Sequence, residues 1–336
     1  MIEVDVRQNI TVEDRFRGAV WGQFVGDAAA LGTHWIYDLD EFQQLYPDGI
    51  SGFEAPKEGH YHFGKKSWDQ THYGDGALVL LESLAKEGGF DPQSYGRSFV
   101  EAFRPGVYSG YIDYATRGTL ENFQAFAGSN PLDAFDFQQG ADDDQMAAGS
   151  RLAALTVLYW DDPSLLTVVE QATRVCQNKD QTVAYMKFNA LLLSELFHKR
   201  DVHTSLRLAE EQTIAVEPRL GQEIRRKIRE AQQEALKEVV EATLALGQAC
   251  PLPQSFPSAI HALLKHPDDF ESAVLATVRA GGDNAGRASM LGAWLGAHLG
   301  MAAIPKNWRV KLSRADRISD ALEKILARKD HKPKRL

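Results

Sequence analysis

Glycine recurs every fourth residue in two apolar stretches of the chain, as Gly18, Gly22 and Gly26 and again as Gly292, Gly296 and Gly300. A spacing of four sets each trio along one face of a helix. A glycine inside a helix costs about 1 kcal/mol relative to alanine. Close backbone approach in a packed core is the compensation this pattern predicts. All six glycines are therefore expected as packing positions, not ligand contacts.

The rest of the chain reads as helix too. Apolar periodicity marks helices over 76–86, 152–159, 182–197, 258–264, 269–278, 288–301 and 314–328, and acid–base pairs at i+3 and i+4 mark a long one over 222–248. β-Branched alternating runs and hairpin dipeptides between them are missing. The expectation is an all-α chain. One irregular tract, 37–68, is rich in glycine, aromatics, proline and histidine, and a long loop of that kind in a compact domain is often functional. With no repeats and no low-complexity linker, the organisation expected is one helical domain over 1–328 and a basic tail over 329–336.

Charge and cysteine usage exclude several roles. A net charge of -9 argues against a general nucleic-acid binder. Cys176 and Cys250 have no metal spacing and suit two inert thiols in a reduced compartment. The first ten residues lack a signal-peptide pattern, and the most apolar run, 288–305, carries His298 and ends in proline. A soluble, cytoplasmic protein with no membrane partner is expected, its oligomeric state left open.

Three aspartates stand at helix boundaries: Asp27 in GDAAALG, Asp75 in HYGDGALVLL and Asp283 in GGDNAGRAS. An aspartate there ordinarily caps the helix by accepting unpaired backbone N–H groups. Asp75 and Asp283 each follow glycine, each precede a buried-looking helix, and each have polar neighbours: His72 and Tyr73, or Asn284 and Arg287. Two such helix starts meeting in a cleft would let the carboxylates bind a hard cation or share a proton. Arg287 could instead neutralise one of them or hold a phosphate. The run Asp142, Asp143, Asp144 is expected as a solvated helix N-terminus, with Arg151 on the helix that follows.

These residues carry a likeness. RGAVWGQFVGDAAA, HYGDGALVLLESL, MAAGSRLAAL and the segment from Ser258 to Trp308 follow one another as the motifs of the ADP-ribosylglycohydrolase superfamily do, and the chain resembles its branch with the J-type lens crystallins. The resemblance implies an orthogonal helical bundle with a central cleft. It also implies two Mg²⁺ ions that orient the ribose hydroxyls and a water for cleavage at C1″ of ADP-ribose.

The motifs depart from the family pattern at identifiable places. Thr-Asp-Asp becomes Tyr73-Gly74-Asp75. Gly-Gly-Asp-Thr-Asp-Thr becomes Gly281-Gly282-Asp283-Asn284-Ala285-Gly286. An acidic residue falls at His34, and a Thr-His pair at Cys176-Gln177. Asp75 and Asp283 remain as metal-ligand candidates in an incomplete Mg²⁺ site.

The function the resemblance implies is hydrolysis of a ribosyl N- or O-glycosidic bond in a small-molecule or ADP-ribosylated substrate. Asp75, Asp283, His34 and His72 are the catalytic candidates. Asp27, Tyr73, Gly74, Asn284, Arg287 and Arg151 are the substrate-binding candidates. A non-catalytic nucleotide-binding protein and a crystallin-like structural protein are the alternatives.

Overall fold

A computed structural model describes residues 10–128 and 134–330. At its centre two helices, α1 (Val12–Ala30) and α14 (Asn284–Leu299), run antiparallel with their backbones touching. The two glycine series make this approach possible by facing each other. A Cβ on Gly18 would stand 2.1 Å from the carbonyl oxygen of Gly296, and one on Gly22 would stand 2.0 Å from that of Gly292. Gly26 meets Ala288 in the same way, at 2.0 Å. Gly300 departs from the expected face. It caps α14 in a left-handed conformation (φ 75°) that suits glycine. Arg15, buried in α1, donates to the carbonyls of Ala297 and His298 and so closes the same helix end.

The pair is buried along nearly its whole length. Against α1 lie α3 (His72–Glu87) and α6 (Ala153–Tyr159). Against α14 lie α8 (Asp180–Phe197), α12 (Leu252–Lys265) and α13 (Phe270–Arg279). Nine further helices, α2 (Leu39–Leu45), α4 (Pro92–Phe103), α5 (Tyr114–Ala127), α7 (Leu165–Arg174), α9 (Val202–Val216), α10 (Pro218–Gln233), α11 (Val239–Leu246), α15 (Lys306–Val310) and α16 (Ala315–Asp330), surround these seven. The described residues thus hold sixteen α-helices and, apart from isolated bridges, no strand.

Two sequence expectations need correction. The helix expected over 222–248 is broken between α10 and α11, where the His261 ring lies 3.1 Å from the Glu234 carbonyl oxygen and Leu236 turns out to solvent. The aspartate run does not open a solvated helix either. Asp143 is buried, its carboxylate takes the Gln145 amide at 3.0 Å and the Gln177 side chain, and helix begins only at α6.

The basic tail begins as helix. Arg328 and Lys329 belong to α16, and the Lys329 ammonium lies 5.0 Å above the Phe16 ring and 5.4 Å above Trp160. Residues 331–336 and 1–9 lie outside the described residues. No helix among the described residues is long and apolar enough to cross a membrane.

Candidate functional site

The site gathers where α1 ends and α3 begins. Thr71 is the N-cap of α3, its hydroxyl accepting from the Tyr73 amide at 3.1 Å. Asp27, in the last turn of α1, reaches under the same helix start. Its carboxylate accepts from the Thr71 amide at 2.7 Å, the Thr71 hydroxyl, and the Gly74 amide at 3.2 Å. With its amide nitrogen turned inward, Gln70 adds a donor at 2.9 Å. Burial lifts the Asp27 carboxyl to about 7, against the pull of the Thr71 donors. These bonds make Asp27 the staple between α1 and α3. Gly74 has no room for a side chain, since a Cβ there would stand 2.3 Å from Asp27 Oδ2.

Asp75, next in sequence, faces the other way. Its Oδ2 accepts from Lys65 Nζ at 2.6 Å and from the Tyr108 hydroxyl at 2.7 Å. Lys65 is fixed in turn by the Gln70 carbonyl at 2.7 Å. This trio forms one wall of a cavity of about 620 Å³ that His62, Tyr61, Tyr111 and Arg314 also border. Neither Asp75 nor Asp283 provides the side-chain cap expected of it: Thr71 caps α3, and Asp283 sits at the N-cap position of α14 without a capping bond.

Behind that wall lie three buried imidazoles. His34 follows the end of α1, His72 opens α3, and His62 comes from the irregular loop between them. Their ring centroids form a triangle with sides of 5.7, 5.8 and 5.3 Å. His72 Nε2 is 3.3 Å from Asp113 Oδ2, and His34 Nδ1 is 3.6 Å from Asp283 Oδ1 and 3.4 Å from the Ala285 amide. Burial, helped by the neighbouring rings, pushes His34 and His62 well below the usual histidine range. Asp113 is held well below the usual carboxylate range: burial alone would raise it, and His72, Arg151 and Thr116 outweigh that.

Trp35 roofs the triad. Its ring stacks on His34 at 4.2 Å and meets Tyr111 edge-on at 4.9 Å, and its indole N–H donates to Cys250 Sγ at 3.1 Å. The residue has φ 64°, a conformation strained for tryptophan and typical of functional loops.

Asp283 is fully buried beside His34. Burial raises its carboxyl to about 7 while the Arg287 charge opposes the rise. Arg287 does not bridge to it. Its guanidinium donates to the carbonyls of Gln248, at 3.0 Å, and Gly281, and so ties the loop before α14. Asn284 does similar work, donating to Thr33 Oγ1 at 2.8 Å and the Val278 carbonyl at 2.9 Å. Tyr73 is buried, and its hydroxyl is pushed well up by burial and by the charges of Asp283 and Asp113.

Arg151 is buried under α3, 5.1 Å over the Phe99 ring and close against Gly76, with no hydrogen-bond partner on any guanidinium nitrogen. Gln177 is structural here, taking the Ala148 amide at 2.7 Å and donating to Asp143.

The sequence-predicted residues therefore fall into separate groups. Asp75 lies at the cavity. His34, His72, Tyr73 and Asp283 form a buried group behind it. Asp27, Asn284 and Arg287 hold backbone. Sequence reading missed His62, Lys65, Tyr108 and Asp113. For the first two the signal was HYHFGKK, inside the loop already singled out.

A two-Mg²⁺ centre is not what these residues build. Mg²⁺ wants oxygen ligands in near-octahedral array. Of the two candidate carboxylates, Asp75 already holds a lysine, Asp283 is enclosed with His34, and no hydrogen bond or ion pair among the described residues joins them.

Comparison with known proteins bears on the whole chain. The ADP-ribosylglycohydrolase family profile matches residues 8–335. Crystallin J1A of Tripedalia cystophora is 27% identical over 323 residues, covering 93% of this chain and 96% of that protein. Crystallin J1B of the same organism is 27% identical over 322 residues, with 93% and 95% covered. A solved structure titled ADP-ribosylglycohydrolase-related protein complex matches with a TM-score of 0.66 at 22% identity, covering 95% of this chain and 99% of that one.

Proposed function

The chain belongs to the ADP-ribosylglycohydrolase family, and from that premise we propose that it hydrolyses a ribosyl N- or O-glycosidic bond in the cavity beside Asp75. The observation that carries this reading is the fixed Asp75 carboxylate, held by Lys65 and Tyr108 on the wall of a cavity large enough for a nucleotide-sized ligand.

The residues suit the task in chemical terms. Glycosidic cleavage passes through an oxocarbenium-like state, which a nearby carboxylate stabilises. Water adds across the broken bond: its oxygen joins the anomeric carbon, and its proton reaches the leaving nitrogen or oxygen. Asp75 is the group placed to steer that water or to offset the positive charge. Tyr61 and Tyr111 offer faces for a ring, and Lys65 and Arg314 bring positive charge for a phosphate.

The test is release of ADP-ribose from N- and O-linked ADP-ribosyl substrates, followed by chromatography, for the wild type and Asp75→Asn. Turnover that falls 100-fold or more in the variant is the expected loss for a general acid–base group of about 10²–10⁴. Equal turnover in both proteins would refute the role of Asp75. Absence of turnover, with no thermal shift on adding ADP-ribose, favours the second reading. That reading, a crystallin-like protein without catalysis, is supported by the two crystallin relatives and by the carboxylates missing from the metal motifs.

A further inference from the structure

We propose that His34, His62 and His72 form a three-histidine site for a divalent transition metal of the zinc type. The site stands whether or not the cavity turns over substrate. It is not the oxygen-ligand centre of the family, because all three donors are imidazoles.

Three separate segments converge to make it: the turn after α1, the loop between α2 and α3, and the first residue of α3. One nitrogen from each ring lies within 4.8 Å of the others, and all three side chains are buried. Zinc–imidazole bonds of about 2.0–2.1 Å put ligand nitrogens roughly 3.3 Å apart in a tetrahedral shell. Each nitrogen reaches such a shell by moving less than about 1 Å.

The buried nitrogens lack partners. His62 and His72 have none on either ring nitrogen, and His34 has none on Nε2. Buried polar atoms are ordinarily paired, so a cluster of orphaned ones needs an occupant. Charge favours a cation over an anion in that place, for Asp283 backs His34 and Asp113 backs His72.

The same carboxylates do what outer partners do for metal-bound histidines: they hold the ring proton on the far nitrogen and aim the near one inward. Metal binding selects the His34 tautomer with its proton on Nδ1, toward Asp283, in exchange for the long Ala285 N–H contact that this nitrogen accepts at 3.4 Å, leaving Nε2 as the donor. Three neutral nitrogens suit zinc, cobalt, nickel or copper and serve Mg²⁺ poorly. They would also leave a fourth position open, and His62 borders the cavity.

The experiment uses the full-length chain without an affinity tag, stripped with chelator and re-equilibrated with Zn²⁺ or Co²⁺. After gel filtration, elemental analysis should find about one zinc or cobalt per chain, unmoved by excess Mg²⁺, and the cobalt form should show visible absorption of a nitrogen-rich site. His62→Ala should lose the bound metal while keeping its circular dichroism. Asp283→Asn should weaken affinity about 10–100-fold, and His203→Ala, altered at an exposed histidine, should bind as the wild type does. Ring ¹⁵N spectra of the wild type supply a readout free of mutation, with His34, His62 and His72 shifting together on titration with Zn²⁺. Failure to retain stoichiometric metal, retention unchanged in His62→Ala, or unmoved signals from the three rings would each overturn the proposal.

Discussion

Gly74 and Asp27 exclude one another's side chains: a single carbon added to Gly74 would sit 2.3 Å from Oδ2 of Asp27. The resemblance sets an aspartate of the family motif at Gly74, where any side chain would collide with the staple beneath it. Restoring the aspartate should not restore a magnesium site. Gly74→Asp should instead cost about 1–3 kcal/mol, the usual range for overpacking, measured by urea unfolding, with no added response to Mg²⁺. An unchanged unfolding midpoint together with a new Mg²⁺ shift would refute this.

Lys65 is the counter-charge of Asp75 at 2.6 Å and faces the cavity. A hydrogen bond to a charged group contributes about 1.5–3 kcal/mol. Lys65→Met should therefore weaken ADP-ribose binding by about tenfold or more, since 1.4 kcal/mol is a factor of ten. Calorimetric titration gives the number, and equal affinity in the two proteins would remove Lys65 from the binding surface.

Asp27 makes stability depend on pH in a direction opposite to most carboxylates. Its folded pKa of about 7 lies above the ordinary value of 3.8. Its stabilising contribution is whole below pH 4 and is lost as pH rises toward 7, at no more than about 1.4 kcal/mol per pH unit. His34 and His62, kept neutral by burial, act in the other sense and lose stability as pH falls. The readout is thus the difference between wild type and Asp27→Asn in unfolding free energy. That difference should shrink from pH 4 to pH 7 and be flat above; a difference that grows with pH would contradict the assignment.

Between α1 and α14 no side chain fits at Gly22, where a Cβ would come within 2.0 Å of a backbone oxygen. Gly22→Ala should be destabilising despite alanine's better helix propensity, by about 1–3 kcal/mol or more because backbone cannot yield as a flexible side chain does. Thermal unfolding would decide the sign, and a stabilised variant would show that the helices can part without cost.

The all-α architecture was legible because helical periodicity and the glycine spacing are local signals. Partnership was not: nothing local says that Gly18 meets Gly296. The same limit governed the site. Asp75 and Asp283 looked alike as glycine-preceded helix starts, yet one faces a cavity and the other is fully buried beside His34, a matter of which elements lie opposite. Asp113 and Tyr108 reach the site from a connection with no distinctive pattern. His62 sat in a loop whose composition marked it as unusual, but only the fold turns it toward His34 and His72. Helix expectation over 222–248 failed for a comparable reason, because propensity continues through residue 234 while a tertiary contact from His261 ends the helix.

The central pairing also dictates when the molecule can form. α1 ends at Ala30 and its partner α14 begins only at Asn284, so α1 leaves the ribosome long before that partner. Throughout that interval, one of the most deeply buried helices of the fold waits without the surface that will bury it. Such a delay exposes nascent protein to aggregation and invites chaperone protection. A stop codon placed before α14 would leave no smaller version of this fold, only a chain missing half of its own spine.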